Sequence, residues 1–257
     1  MKTGDNNMKA YRSLSIGNSF SQDALQYCHD IAAADGIEWE TVNLVVGGCE
    51  LHRHWQYWTE NDPHYALEIN GKWVRNEVTI KEMLADGKYD IVTTQQASHY
   101  SGRPETYFPY VVDLCGVIRE YQPDAKLYLQ ETWAYEWDST HGAFPNYNND
   151  QQEMYERLKI AYAAAAIAVK AQIIPTGDVI QHFRENVNGF DYRNGGMSLN
   201  RDGFHLNMPY GRYINSAVWY SVLFDADIRK NTFVPENAED KELLGRIKEE
   251  IYAYLHR

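Results

Sequence analysis

Ser15-Ile16-Gly17-Asn18-Ser19-Phe20-Ser21 is the stretch on which the reading of the fold turns. It closes a run with strand character, Tyr11–Ile16, and opens a helical pattern over Gln22–Ala34, so the chain passes from strand to helix across one glycine. Such a turn points free backbone N–H groups and the positive end of the helix dipole at whatever Ser19 holds. A hydroxyl there is placed to act as a nucleophile whose product is an oxyanion. The bland alternative is that Ser19 and Ser21 are helix caps, a role serine fills well. The rest of the chain has to decide between them.

Four more segments read as strands: Glu38–Val46, Tyr89–Thr94, Lys126–Gln130 and Gln172–Pro175. Helical patterns separate or follow them at Thr79–Ala85, Tyr107–Tyr121, Asp150–Lys170, Asp178–Glu185, Tyr210–Phe224 and Glu236–His256. Strands alternating with helices predict βαβ units, hence a doubly wound three-layer α/β/α sandwich around a five-stranded parallel sheet. One insertion breaks the rhythm near 66–75. There Asn70-Gly71 stands between short apolar runs and predicts a small β-hairpin. Without repeats, linkers or low-complexity tracts, a single domain over 1–257 is expected.

Composition narrows the partners. Apolar residues make up 44% and charged residues 23% of the chain, proportions ordinary for a globular protein, but the formal net charge is −12. A surface of that sign repels phosphate backbones and anionic lipids, so neither nucleic acid nor membrane is an expected partner. No apolar run is long enough to span a bilayer. The start, Met1 to Lys9, is polar and lacks the apolar core of a secretory signal. The sequence as written therefore predicts a cytoplasmic protein, or a secreted or periplasmic one if a leader has been removed. The odd set Cys28, Cys49 and Cys115 does not predict a disulfide framework.

In open α/β sheets, ligands bind beyond the carboxyl ends of the strands. The loops at those ends are Gly17–Ser19, Gly47–Trp55, Gln95–His99 and the long aromatic Glu131–Asn149. Near the C-terminus, Asp202-Gly203-Phe204-His205 supplies what a nucleophilic serine lacks. An aspartate three residues before a histidine can accept the imidazole Nδ1–H and hold Nε2 toward a hydroxyl.

These residues resemble the SGNH (GDSL-type) hydrolase superfamily of esterases and acetylesterases, which implies a sheet of flavodoxin-like topology. Gly17-Asn18-Ser19-Phe20-Ser21 resembles its first block, in which Gly-Asp-Ser is usual, and Asp202-Gly203-Phe204-His205 its last. Asn43-Leu44-Val45-Val46-Gly47-Gly48 is similar to the second. The resemblance implies Ser19 as nucleophile, His205 as general base and Asp202 as its orienting partner. It implies an oxyanion hole from the backbone N–H groups of Ser19 and Gly48. The third block usually reads Gly-x-Asn-Asp, whereas here Gln95-Gln96-Ala97-Ser98 is closer to the Gln-x-x-Ser of the carbohydrate acetylesterase branch. That would give the third donor to the Gln95 amide, or to Gln96 if the strand turns the other side of the pair toward the site.

The activity implied is hydrolysis of short acyl esters, acetyl above all, through an acyl-enzyme and without a cofactor. Aromatic loop residues, Trp55 and Trp133 foremost, suit the faces of sugar rings, so an O-acetylated carbohydrate is the expected substrate. Gln96 and His99 are further candidates for substrate contact. Two other readings compete. Glu50, His52 and His54, with His64, His99 or His141, could hold a catalytic metal for a different hydrolysis. The chain could also be a carbohydrate-binding protein that keeps the fold without the chemistry.

Overall fold

A computed structural model describes residues 10–257. The polar start, Met1 to Lys9, on which the expectation about a leader rests, lies outside the described residues. The chain runs β1 (Ala10–Gly17), α1 (Ser19–Leu25), α2 (Cys28–Ala34) and β2 (Glu38–Val45), then α3 (Leu51–Glu60), β3 (Tyr65–Ile69) and β4 (Lys72–Val78). There follow α4 (Ile80–Ala85), β5 (Ile91–Thr94), α5 (Tyr110–Tyr121), β6 (Lys126–Gln130), α6 (Gln151–Val169) and β7 (Gln172–Ile174). The last helices are α7 (Thr176–Asn186), α8 (Tyr210–Phe224) and α9 (Lys241–Leu255).

The strands form one sheet in the order β4-β3-β2-β1-β5-β6-β7. Its five parallel members, β2-β1-β5-β6-β7, have the flavodoxin order 2-1-3-4-5. The sheet is therefore larger than expected. The Asn70-Gly71 hairpin does not stand apart but adds β3 and β4 antiparallel to the edge of β2, giving seven strands. Polar residues hold it there. Asn43 of β2 donates to Glu68 of β3 at 3.2 Å, and Glu68 also accepts from Gln22 of α1. Among the described residues no helix is long and apolar enough to cross a membrane.

Two helices depart from expectation. The pattern Gln22–Ala34 is broken into α1 and α2 because Ser216 of α8 enters the backbone ladder. Its Oγ donates to Ala24 O at 2.7 Å and accepts from Tyr27 N at 3.1 Å, satisfying the groups that a continuous helix would pair. The segment Leu51–Glu60 was expected as part of a loop but forms α3. Its aromatic content favours strands by propensity and Glu50 makes no side-chain cap. The helix start is instead satisfied from afar, by Gln96 Oε1 accepting Leu51 N–H at 3.0 Å.

The strand-to-helix turn has a steric requirement. A Cβ on Gly17 would lie 2.8 Å from Ser21 Cβ, inside van der Waals contact. Ser21 is not the helix cap. Its hydroxyl donates to Asn18 O at 2.8 Å and lies 2.9 Å from Asn43 Oδ1, while Asn18 fills the cap by accepting Phe20 N–H at 3.0 Å. Gly17→Ala is expected to displace Ser21 and cost about 1–3 kcal/mol of folding stability. Adding Ser21→Gly should cost less than the two single changes summed, because the same clash is relieved. Urea midpoints of the three variants decide it, and strict additivity would refute the steric account.

Candidate active site

The nucleophile candidate stands at the first position of α1, beyond the carboxyl end of the central strand β1. Asn18 fixes this turn with every part of its amide. Its Oδ1 accepts from Phe20 N–H and from Gln95 Nε2 at 2.7 Å, and its Nδ2 donates to Cys49 O at 3.0 Å. The ends of β1 and β5 and the loop after β2 are thus drawn to one point. Gly48, exposed and at φ +61, directly precedes the Cys49 that Asn18 holds.

Opposite Ser19, residues 200–206 form a tight turn closed by an antiparallel bridge between Asn200 and Leu206 and by Arg201 N–H donating to His205 O at 2.9 Å. Gly203 takes φ +85 within it and approaches Ser139, so no side chain fits easily. The spacing of Asp202 and His205 follows from this turn. Asp202 Oδ1 accepts the backbone N–H groups of Phe204 (3.2 Å) and His205 (2.8 Å), leaving Oδ2 for His205 Nδ1 at 2.7 Å. With its proton on Nδ1, the ring presents Nε2 as an acceptor 2.8 Å from Ser19 Oγ. Burial alone would raise the Asp202 carboxyl, but the bonds from the His205 ring and from both backbone N–H groups outweigh it and hold the group below the usual carboxylate range. Serine hydroxyl, imidazole and carboxylate therefore form one hydrogen-bonded chain.

Residues to which the sequence assigns no supporting role hold this chain in place. Asp23, fully buried on α1, accepts Leu206 N–H at 2.7 Å and Arg201 Nη1 at 3.1 Å and forms an ion pair with Arg212 Nη2 at 2.7 Å. Trp133 donates Nε1–H to Phe204 O at 2.7 Å, and Glu136 N–H donates to Gly203 O at 2.7 Å. Only Asn18 carried a readable signal, since asparagine directly before a helix is a favoured cap.

The other expected site residues divide. The Gln95 amide is buried and bonded to Asn18, although an amide nitrogen has a second hydrogen to give. Gln96 does not face the site. Its Oε1 accepts from Leu51 and Ala97, and its Nε2 donates to Thr106, which makes it a strut between α3 and the loop after β5. Trp133 is fully buried and stacked on Phe20 at 4.1 Å, so it supports the turn at Ser19 and offers no face to a substrate. Trp55 is half-buried on α3. His99 lies in a short turn, and burial, then the nearby His99 and His205, hold the imidazole of His141 in the long loop below its ordinary value. His141 Nδ1 accepts Ala143 N–H at 3.1 Å, and its ring meets Phe204 edge-on at 4.7 Å, walling the space beside His205.

The metal reading fails on geometry. His52 and His54 are two residues apart on a helix and face different directions. His52 is exposed against Tyr110, whereas His54 is fully buried with Nδ1 2.6 Å from Tyr65 Oη. Among the described residues, no three His, Cys, Asp or Glu side chains converge to hold a metal.

A parallel sheet of 2-1-3-4-5 order, with this chain at the carboxyl ends of its strands, has the fold of the SGNH hydrolases. A protein from Slackia heliotrinireducens assigned to that class matches it with a TM-score of 0.56 at 21% identity, over 84% of this chain and 100% of the other. A lipase/acylhydrolase from Enterococcus faecalis matches with a TM-score of 0.53 at 13% identity, over 83% and 95%. The chain itself belongs to the family described as a domain of unknown function, DUF4886, whose model matches residues 12–247. A member of that family from Bacteroides uniformis is 33% identical over 96% of this chain and 95% of its own, with a TM-score of 0.89. Among curated proteins none matches.

Two predictions follow from the supports of the site. Asp23→Asn leaves two guanidinium groups without their carboxylate and should cost about 3 kcal/mol in a denaturation curve; an unchanged midpoint would show that Asp23 does not hold the turn. For His54, burial and then the charge of Arg53 push the imidazole down to about 3 from its ordinary 6.5. Between those values the unfolded chain binds the proton and the folded one does not, so stability falls as pH drops through that window. His54→Gln should flatten the acid limb of stability against pH.

Proposed function

We propose that the protein is a serine esterase hydrolysing short acyl esters, acetyl esters of carbohydrates in particular. The observation that carries this is the unbroken hydrogen-bonded chain from Ser19 Oγ through the His205 ring to Asp202 Oδ2, with separations of 2.8 and 2.7 Å. Serine is a poor nucleophile without a base, and the base needs its tautomer fixed. Both conditions are met by side chains already in contact.

In this reading Ser19 Oγ attacks the ester carbonyl while its proton passes to His205 Nε2. The tetrahedral oxyanion is stabilised by the backbone N–H groups of Ser19 and Gly48, with the second hydrogen of the Gln95 amide as a third donor. His205 returns the proton to the departing alkoxide, leaving an acyl-Ser19. Water, deprotonated in turn by His205, then releases the acid and restores the hydroxyl. Asp202 stays ionised throughout and stabilises the imidazolium. The wall of Phe204, with its ring 4.2 Å from that of His205, together with His141, favours a small acyl group. Half-buried Trp55 and exposed Trp137 favour a sugar on the alcohol side.

Wild type is expected to release p-nitrophenol from p-nitrophenyl acetate faster than from long-chain esters, and to deacetylate acetylated oligosaccharides. Ser19→Ala and His205→Ala should each lose about 10⁴–10⁶ in kcat, and Asp202→Asn about 10⁴. Equal turnover by wild type and Ser19→Ala, or no hydrolysis of any ester by wild type, would sink the proposal.

A further inference from the structure

The aromatic run after β6 divides into a buried part and an open one. Trp133 and Tyr135 lie in the core, but Trp137 is 39% exposed and pairs with Tyr192, itself 37% exposed, at a ring separation of 6.4 Å. The Arg193 guanidinium lies 5.6 Å from the Trp137 ring, so both partners of this indole come from the loop after α7. Beside them is a cavity of about 330 Å³, a size that suits a small-molecule site.

Its lining is polar and organised. Buried Glu136 and Arg184 face each other there at 3.7 Å, and Arg184 Nε has no hydrogen-bond partner among the described residues. Around this pair, amides hold carboxylates in fixed directions. Gln181 donates to Glu185 at 2.7 Å, Asn194 to Asp191 at 2.6 Å, and Gln151 to Glu136 at 2.8 Å. A carboxylate has about four acceptor positions; those of Glu136 are taken by Trp137 N–H, Gln151, Ser198 and Arg184, whereas Glu185 and Asp191 keep lone pairs for other donors. The acidic groups lining the cavity outnumber Arg184 and Arg193, which disfavours an anionic guest.

We propose that this cavity binds a neutral sugar ring. Vicinal hydroxyls donate to the oriented carboxylates, and the C–H face of the ring rests on Trp137 and Tyr192. A second cavity shares Glu136 and Tyr192 with the first and is lined also by Asp202 and Gly203, so the cleft continues to the carboxylate behind His205. A glycan lying along it presents its neighbouring residues to the Ser19 side. That connection rests on the esterase reading, whereas the ring site does not.

The test uses Ser19→Ala protein, which binds without turnover, titrated with xylotetraose, cellotetraose, mannotetraose and the acidic tetragalacturonate while tryptophan fluorescence and calorimetric heat are followed. At least one neutral tetrasaccharide should bind. Adding Trp137→Ala or Tyr192→Ala should weaken it about tenfold, as expected for loss of a ring contact. Trp73→Ala, which removes an exposed indole on β4, should leave the affinity unchanged, and tetragalacturonate should not bind. The inference is overturned if no neutral sugar binds, if the acidic one binds as well, or if both cavity variants bind as their Ser19→Ala parent does. Melting curves of the variants separate a lost contact from a lost fold. Because hydrolysis is not read, the outcome is independent of whether Ser19 cleaves esters.

Discussion

The site depends on one primary amide. Asn18 caps α1, accepts from Gln95 and donates to Cys49, so three strand ends are tied at a single side chain. An aspartate could make the first two bonds but not the third, because a carboxylate turned toward a carbonyl oxygen has no hydrogen to give. Asparagine in place of the more usual aspartate of the resembling block therefore has a physical reason here. Two donors meet its oxygen and one acceptor meets its nitrogen, and only an amide satisfies all three. An unpaired polar atom buried at this point would cost about 1–3 kcal/mol.

The remainder of the architecture keeps that point rigid. The hairpin on the β2 edge supplies Glu68, which reaches Asn43 and Gln22 and so presses the first turn of α1 against the sheet. From the other side Ser216 ends α1 after two turns and takes over its loose backbone groups. A longer helix would carry Gln26 and Tyr27 elsewhere, and the short one lets α8 pack into the break. The hairpin and the break look like deviations from the α/β plan, yet both serve the position of Ser19.

Much of this was legible in the sequence because it rests on local pattern. The five parallel strands follow from short apolar runs between helical periods, and the Ser19 turn and the Asp202–His205 spacing are close-range geometry. What was not legible depends on distant partners. Helix α3 begins on a glutamine forty-five residues away, and the break in α1 is made by a serine on α8. Trp133 and Gln96 looked like site residues by their place at strand ends, yet one is committed to Phe204 O and the other to Leu51 and Thr106. Their neighbours in space decide their role, and alternation along the strand does not reveal them. Asp23 shows the same limit, since nothing nearby in sequence marks it as the anchor of residues 200–206.

That anchor has a dynamic consequence. Ser19 and Asp23 are four residues apart on one short helix, and Asp23 grips Leu206, the residue after His205. Any rocking of α1 against the sheet therefore carries the hydroxyl and the imidazole in the same direction. Their separation responds only to the difference of two correlated displacements, much as two instruments on one optical bench keep their alignment when the bench is knocked. The protein can be soft at its loops and still hold the separation of Ser19 and His205 steady.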